Sequence, residues 1–322
     1  MVNFYEEIRK DLRTVDMIRT YAPVAVFAYN RADKLENCIK NLEKCPEAAD
    51  TDLFIFCDGA KGEKDREAVG RVHDMARAYC DNSPFKSVTV RAQDTNRGLA
   101  ASIISGVTEV IDDRGKIIVV EDDLVVRPSF LRYMNEGLQF YRDEPRCGSV
   151  CAFSYPMKSL SDYDKDVYFT RKGDCWGWAT WSDRWNKAAW ADTDFESYLH
   201  DRRLRRDFES LEAGLDRLMY LQYKGMIDSW AVRWVYYLFT KGQLSVYPTV
   251  SRVVNDGFDG SGTHISGGFG KGFNSIHGGE DGGIDWEPCI LSERLARDCA
   301  VYPRRFFPLY VLETIRFMMK KK

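Results

Sequence analysis

Three consecutive carboxylates, Glu121-Asp122-Asp123, follow the apolar run Ile117 to Val120 in this chain of 322 residues. Packed side by side, such groups repel one another and cling to protons unless a cation sits among them. Mg2+ and Mn2+ prefer oxygen ligands, and one or two carboxylates completed by substrate phosphates suit either ion. A divalent ion holding a diphosphate there would stabilise the charge that builds on a leaving nucleoside diphosphate. The same residues also read as a solvated acidic turn, or as the N-cap of a helix beginning near Pro128. What surrounds the triplet bears on that choice.

The elements that must position it alternate regularly. Val24 to Ala28 (VAVFA) suits a buried strand, and Leu35, Ile39 and Leu42 have helical spacing within Lys34 to Lys44. Leu53 to Cys57 is a second strand, closed by Asp58-Gly59, and Glu63 to Tyr79 a second helix. Ser87 to Val90, Gly98 to Ile111 and Ile117 to Val120 continue the pattern as strand, helix and strand. Strands alternating with helices predict βαβ units and a doubly wound, mostly parallel sheet flanked by helices, an α/β fold. Ligands of such sheets bind at the carboxyl ends of the strands. Tyr29-Asn30-Arg31, Asp58-Gly59, Asp94 to Gly98 and Glu121-Asp122-Asp123 all fall at those ends. That shared edge favours the metal reading of the triplet.

Composition sets the bounds. The chain is 44% hydrophobic and 30% charged, as soluble globular proteins are, and its net charge of −3 gives no reason to expect nucleic acid as a partner. No run approaches the roughly 20 apolar residues that span a bilayer, and the charged first 20 residues lack a signal-peptide core. Nine scattered cysteines, several inside apolar runs, suit free buried thiols, and the chain is expected in the cytoplasm.

The run Ile117 to Phe130 (IIVVEDDLVVRPSF) resembles the segment of the inverting N-acetylglucosaminyltransferase I family that carries a Glu-Asp-Asp form of the DXD motif. PVAVFAYNRADKLENCIKNL from Pro23 is similar to the first strand and helix of that family. It also resembles bacterial family 2 glycosyltransferases, as does Asn96-Arg97-Gly98-Leu99. The similarity spans about residues 23 to 145 and is traceable to about 265. It implies a GT-A fold, Mn2+ (or Mg2+) as cofactor, a UDP-sugar donor and a saccharide or lipid-linked saccharide acceptor. Asp123 would bind the metal, while Glu121 and Asp122 would contact the donor. Asp58 would accept a hydrogen bond from the uracil ring and Arg31 would reach the nucleotide. Arg97, just before a glycine that opens a helix, would meet the phosphates; a surface arginine is the other reading. Ile227-Asp228-Ser229-Trp230 resembles the stretch holding the family's general base. The family has two acids before the Trp, whereas the second position here is Ser229. Asp228 is therefore the candidate base, or else a helix N-cap ahead of Trp230.

Further along, residues 255 to 283 hold eleven glycines and read as loops that could close over a pyrophosphate, with His264 as a donor to the β-phosphate or the metal. Of Trp176, Trp178 and Trp181, at most one is expected to line a sugar site, large aromatics being ordinary core material. Leu204 to Tyr223 reads as one helix. The stretch from Tyr302 to Lys322 has six Arg or Lys and apolar residues at helical spacing, so it could rest on an anionic membrane surface, at the inner face of the plasma membrane, or pack on the domain. Four parts are expected: a lead-in at 1–22, a nucleotide-sugar-binding half at 23–125, an acceptor-side half at 126–284 and a basic tail at 285–322. A sugar nucleotidyltransferase is a rival, but Tyr29-Asn30-Arg31-Ala32 lacks the glycine-rich phosphate loop it would need. A carbohydrate-binding protein built on the Trp cluster would have no use for the triplet.

Overall fold

The computed structural model of the protein describes residues 20–81, 83–188, 190, 195–257 and 283–303. Residues 1–19 of the expected lead-in, His264 and residues 304–322 of the basic tail lie outside the described residues. An eight-stranded sheet runs through the molecule in the order β3-β2-β1-β4-β8-β6-β9-β7. Its strands are β1 (Val24–Ala28), β2 (Asp52–Cys57), β3 (Ser87–Ala92), β4 (Lys116–Glu121), β6 (Cys147–Cys151), β7 (Val167–Thr170), β8 (Trp178–Trp181) and β9 (Leu244–Pro248). β3, β2, β1 and β4 are mutually parallel. β8 turns antiparallel to both β4 and β6, β9 is parallel to β6, and β7 is antiparallel to β9. Only β7 and β8 therefore oppose the rest, so the expected mostly parallel α/β sheet is present.

Side chains of successive strand residues enter opposite faces, and the two faces bury separate cores. Val24, Val26, Ile55, Ile118 and Val120 join one, which continues into α1 (Ala32–Leu42) through Leu35, Cys38 and Ile39. Ala25, Phe27, Phe56, Ile117 and Val119 join the other, against α3 (Leu99–Arg114). Each fully buried aliphatic or Phe side chain contributes about 1.5–3 kcal/mol, and β1 is buried throughout, so the central strands are anchored from both sides. α2 (Glu63–Tyr79) lies on the α1 side through Val72 and Ala76. All nine cysteines are free, and seven are buried, as their apolar settings predict.

The triplet does not cap a helix. After β4 the chain turns at Asp122-Asp123 into β5 (Leu124–Val126), which pairs antiparallel with β10 (Val253–Asn255) in a separate two-stranded sheet. α4 (Phe130–Phe140) begins only after Ser129. The second half departs from expectation in one further place. The helix read over Leu204 to Tyr223 is two, α7 (Arg202–Glu209) and α8 (Leu215–Tyr223), preceded by the short α5 (Ser182–Trp185) and α6 (Phe195–His200). Gly214 breaks it at φ 98°, and Glu209 accepts hydrogen bonds from the N–H groups of Gly214 and Asp216, capping the second helix from the first. α9 (Trp230–Thr240) packs on α3, and α10 (Glu293–Val301) packs on β7. Among the described residues, no helix is long and apolar enough to cross a membrane.

At the end of β2 the backbone of Gly59 lies against that of Thr95. A β-carbon at Gly59 would collide with the Thr95 main chain, which cannot swing aside as a side-chain tip can. Gly59→Ala is expected to cost about 1–3 kcal/mol, measured as a lowered urea midpoint at unchanged m-value.

Candidate active site

Pairing fixes the meeting of the strand ends. Phe27 stands opposite Glu121 in the β1–β4 ladder, and the Asp122 N–H donates to the Phe27 carbonyl at 3.0 Å. Arg31, four residues past Phe27, therefore arrives beside the triplet. Its Nη2 donates to Asp122 Oδ1 and, at 2.9 Å, to Asp123 Oδ2. Asp122 is only 4% exposed, so an unpaired negative charge there would be costly. Burial pushes its carboxyl up to about 6 against the pull of Arg31, with Asp123 adding to the rise. Glu121 is pushed up to about 8 by burial and then by the charges of Asp123 and Asp122. One guanidinium thus faces more negative charge than it can balance. Its other nitrogen, Nη1, is buried without a hydrogen-bond partner among the described residues.

A second layer holds the loops. Lys34, on the first turn of α1, donates to the carbonyl and the carboxylate of Asp256 at 2.8 and 2.9 Å. The Asp256 N–H in turn donates to the Asp123 carbonyl at 2.8 Å. The end of β10 is thereby fixed against the triplet. Asp58 performs the same service after β2. Its Oδ1 accepts from the N–H groups of Gly59 and Arg97, and its Oδ2 from Gly98 N–H and Asn96 Nδ2, all at 2.8 to 3.0 Å. A carboxylate has about four acceptor positions, and all are filled. Asp58 thus organises residues 96–98, and a base N–H reaching it would share one of these acceptor positions. Gly98 opens α3, as the sequence suggested, and Arg97 beside it is exposed. Tyr29 is half-buried, its hydroxyl donating to Asp65 and accepting from Lys61 N–H.

Arg31, Glu121, Asp122 and Asp123 come together as expected, with Asp58 and Arg97 at the neighbouring strand end. Arg31 faces the acidic pair first, because the buried carboxylates need its charge. Asp228 lies just before Ser229, at the start of α9. Its carboxylate is 63% exposed and bonds Arg233 at 3.0 Å, while Ser229, not Asp228, caps α9 by accepting from Val232 N–H. One aromatic contact ties that end of α9 to the strands: Trp230 stacks on Trp178 at 5.1 Å, and Trp178 stands opposite Val119 of β4. Trp178 and Trp181 are interior, and only Trp176 of the three is partly exposed. Sequence reading missed Lys172, Asp174 and Glu212, a buried ion cluster next to this region. Only a lysine inside a polar stretch marks it locally.

No family model matches the chain, and no curated protein does. Solved structures are similar at low level. The galactosyltransferase LgtC in complex with donor and acceptor sugar analogs is 15% identical, with 73% of this chain and 74% of that one covered, at a TM-score of 0.35. GalNAc-T7 with UDP, GalNAc and Mn2+ is 10% identical, covering 74% of this chain but 44% of its own, at a TM-score of 0.45. A UDP-glucose pyrophosphorylase complexed with UDP-glucose is 11% identical over 51% of this chain and 78% of its own, at 0.30. Likenesses this distant fix neither family nor reaction.

The donor set fits a hard divalent cation. Among the described residues, no three His, Cys, Asp or Glu side chains converge into a complete protein cage. A site of one or two carboxylates finished by phosphate oxygens needs no such cage. The surplus charge at Glu121, Asp122 and Asp123 is what a cation would relieve. Unfolded, these acids titrate near ordinary carboxylate values, about 4. Folding raises Asp122 to about 6 and Glu121 to about 8, so the native state keeps protons the unfolded chain has lost. Their contribution to stability therefore falls as pH climbs from about 4 to about 8. Glu121→Gln should flatten that decline in melting temperature, and Mn2+ should stabilise the wild type more at pH 8 than at pH 5. Calorimetric scans across pH, with and without Mn2+, check both; an equal Mn2+ effect at the two pH values would argue against the triplet as its site.

Proposed function

We propose that the chain is a metal-dependent, inverting glycosyltransferase of the GT-A type, moving a sugar from a UDP-sugar to a saccharide or lipid-linked acceptor. The observation that carries this reading is the crowding of the triplet, Asp122 buried and Glu121 and Asp123 half-buried, at the carboxyl edge of four parallel strands with Arg31 as its paired cation. Such a site is suited to a cation together with an anionic ligand. Asp123 would hold the metal, with Glu121 beside it, and the bound ion would supply charge stabilisation to the leaving diphosphate. Asp122 keeps Arg31 in place, and Arg31 Nη1 has donors left for a phosphate oxygen. The N-terminus of α3, with Arg97 next to it, adds a second favourable place for negative charge.

Inversion needs a base that takes the acceptor hydroxyl proton as the oxygen attacks the anomeric carbon. Asp228 is our candidate. Arg233 orients its carboxylate at 3.0 Å, and its exposure leaves it open to an acceptor arriving from solvent. UDP-N-acetylglucosamine is our first donor, and the resemblance of residues 23 to 145 to bacterial family 2 enzymes supports a role in surface-polysaccharide assembly. Membrane contact through the basic tail belongs to this proposal and concerns residues outside the described ones.

A screen of nucleotide sugars with and without Mn2+, reading released nucleoside diphosphate, tests the whole reading. Release of nucleoside diphosphate supports transfer; formation of pyrophosphate from a nucleoside triphosphate would make the protein a nucleotidyltransferase instead. Asp123→Ala is expected to abolish Mn2+-dependent UDP binding. Asp228→Asn should leave UDP binding intact and lower kcat by about 10²–10⁴. A variant with unchanged kcat would remove Asp228 from the base role.

A further inference from the structure

Arg31 is one neighbour of the Asp123 carboxylate, and the chain leaving β10 is another. Asn255 stands opposite Leu124 in the β5–β10 pair, and the Asp256 N–H donates to the Asp123 carbonyl at 2.8 Å. The next residue closes a corner: Gly257 N–H donates to Asn255 Oδ1 at 2.7 Å. Lys34 grips the same corner from α1, through both the carbonyl and the carboxylate of Asp256. Lys34 is 9% exposed, and an ammonium so placed is costly unless its donors are used. Residues 255–257 are therefore tied to α1 and to the triplet at once.

Gly257 is buried, and what it lies against is the carboxylate itself. A β-carbon there would overlap Asp123 Oδ2 and would stand 3.0 Å from both Asp123 Cγ and Asn255 Oδ1. These nearest atoms all belong to side chains, whereas at Gly59 the obstacle is main chain. Gly257 does not have a positive φ, so its backbone suits an alanine. What must give way to an added methyl is the Asp123 carboxylate. Its Oδ2 also accepts from Arg31 Nη2 at 2.9 Å, while Oδ1 accepts no hydrogen bond among the described residues. The Asp123 side chain is only 15% exposed. A carboxylate held through one oxygen presents the other in a fixed direction, which suits a hard cation with demanding ligand geometry.

We infer that Gly257 is a positioning residue for a cation at Asp123: its missing side chain lets the carboxylate stay where Oδ1 is open, and Asn255 and Lys34 hold Gly257 there. The inference rests on the metal-dependent reading proposed above. Its test titrates Mn2+ into the full chain at saturating UDP and reads the free ion by electron paramagnetic resonance, with Asp123→Ala marking loss of the site. Gly257→Ala should raise the Kd of Mn2+ about 10–100-fold. Its melting midpoint without metal should stay within about 3 °C of the wild type, because a side chain and not the backbone gives way. Lys34→Met should raise the Kd less, about three- to tenfold, and Asp256→Asn, which keeps both oxygens that Lys34 uses, less again. If Gly257→Ala does not fold, Lys34→Met and Asp256→Asn carry the test. A folded Gly257→Ala that binds Mn2+ within about twofold of the wild type overturns this inference alone. So does a loss matched by a larger fall in melting midpoint or, where that variant does not fold, an unchanged Kd in Lys34→Met. A wild type that binds no Mn2+, or an Asp123→Ala protein that binds it as well as the wild type, overturns the metal reading of the triplet itself.

Discussion

The balance of charge between Arg31 and three adjacent carboxylates is the interaction on which this site depends. The β1–β4 ladder brings the two sides together, since Phe27 opposite Glu121 delivers Arg31 to Asp122 and Asp123. The balance is unequal. Glu121 and Asp122 both stay well above ordinary carboxylate values despite the guanidinium. Arg31, drawn inward by Asp122, still has Nη1 unpaired among the described residues. A cation arriving at Asp123 would compete with Arg31 Nη2 and free it to turn towards an anion, so metal and diphosphate would favour one another.

Around this centre charged side chains hold the loops. Asp58 collects the backbone of residues 96–98, Lys34 fixes Asp256, and Lys172 with Glu212 and Asp174 fixes the approach to Trp176. Loops at strand ends cannot draw hydrogen bonds from a ladder, so their polar backbone groups need partners of another kind. A carboxylate or an ammonium meets several at once. Asp58 does so with four donors at once, three of them backbone N–H groups.

The parallel half of the sheet was legible because its signal is local. Strand runs such as VAVFA alternate between two cores, and intervening helices have their own periodicity. The edge that gathers Arg31, Asp58, Arg97 and the triplet followed from strand order alone. β5 and β10 were not legible: each has three residues and they pair across more than a hundred positions. The break between α7 and α8 depends on one glycine and on the reach of Glu209, against apolar spacing that runs straight through. Lys172, Asp174 and Glu212 give no pattern either, because their meeting depends on how α7 and α8 dock beside β7. Long-range polar contacts have no period.

The contrast between the triplet and Asp228 follows from what each would have to do. Metal and diphosphate chemistry gains from burial, because charges act more strongly where water is excluded. A base that serves a varied acceptor must remain reachable, and a proton accepted in a closed, apolar site would have nowhere to go. Asp228 is open and paired to Arg233, whereas Asp122 is closed and paired to Arg31; the two acid–arginine pairs differ chiefly in exposure. Trp230, at the start of α9 next to Ser229, stacks at 5.1 Å on Trp178 in the strand paired with β4.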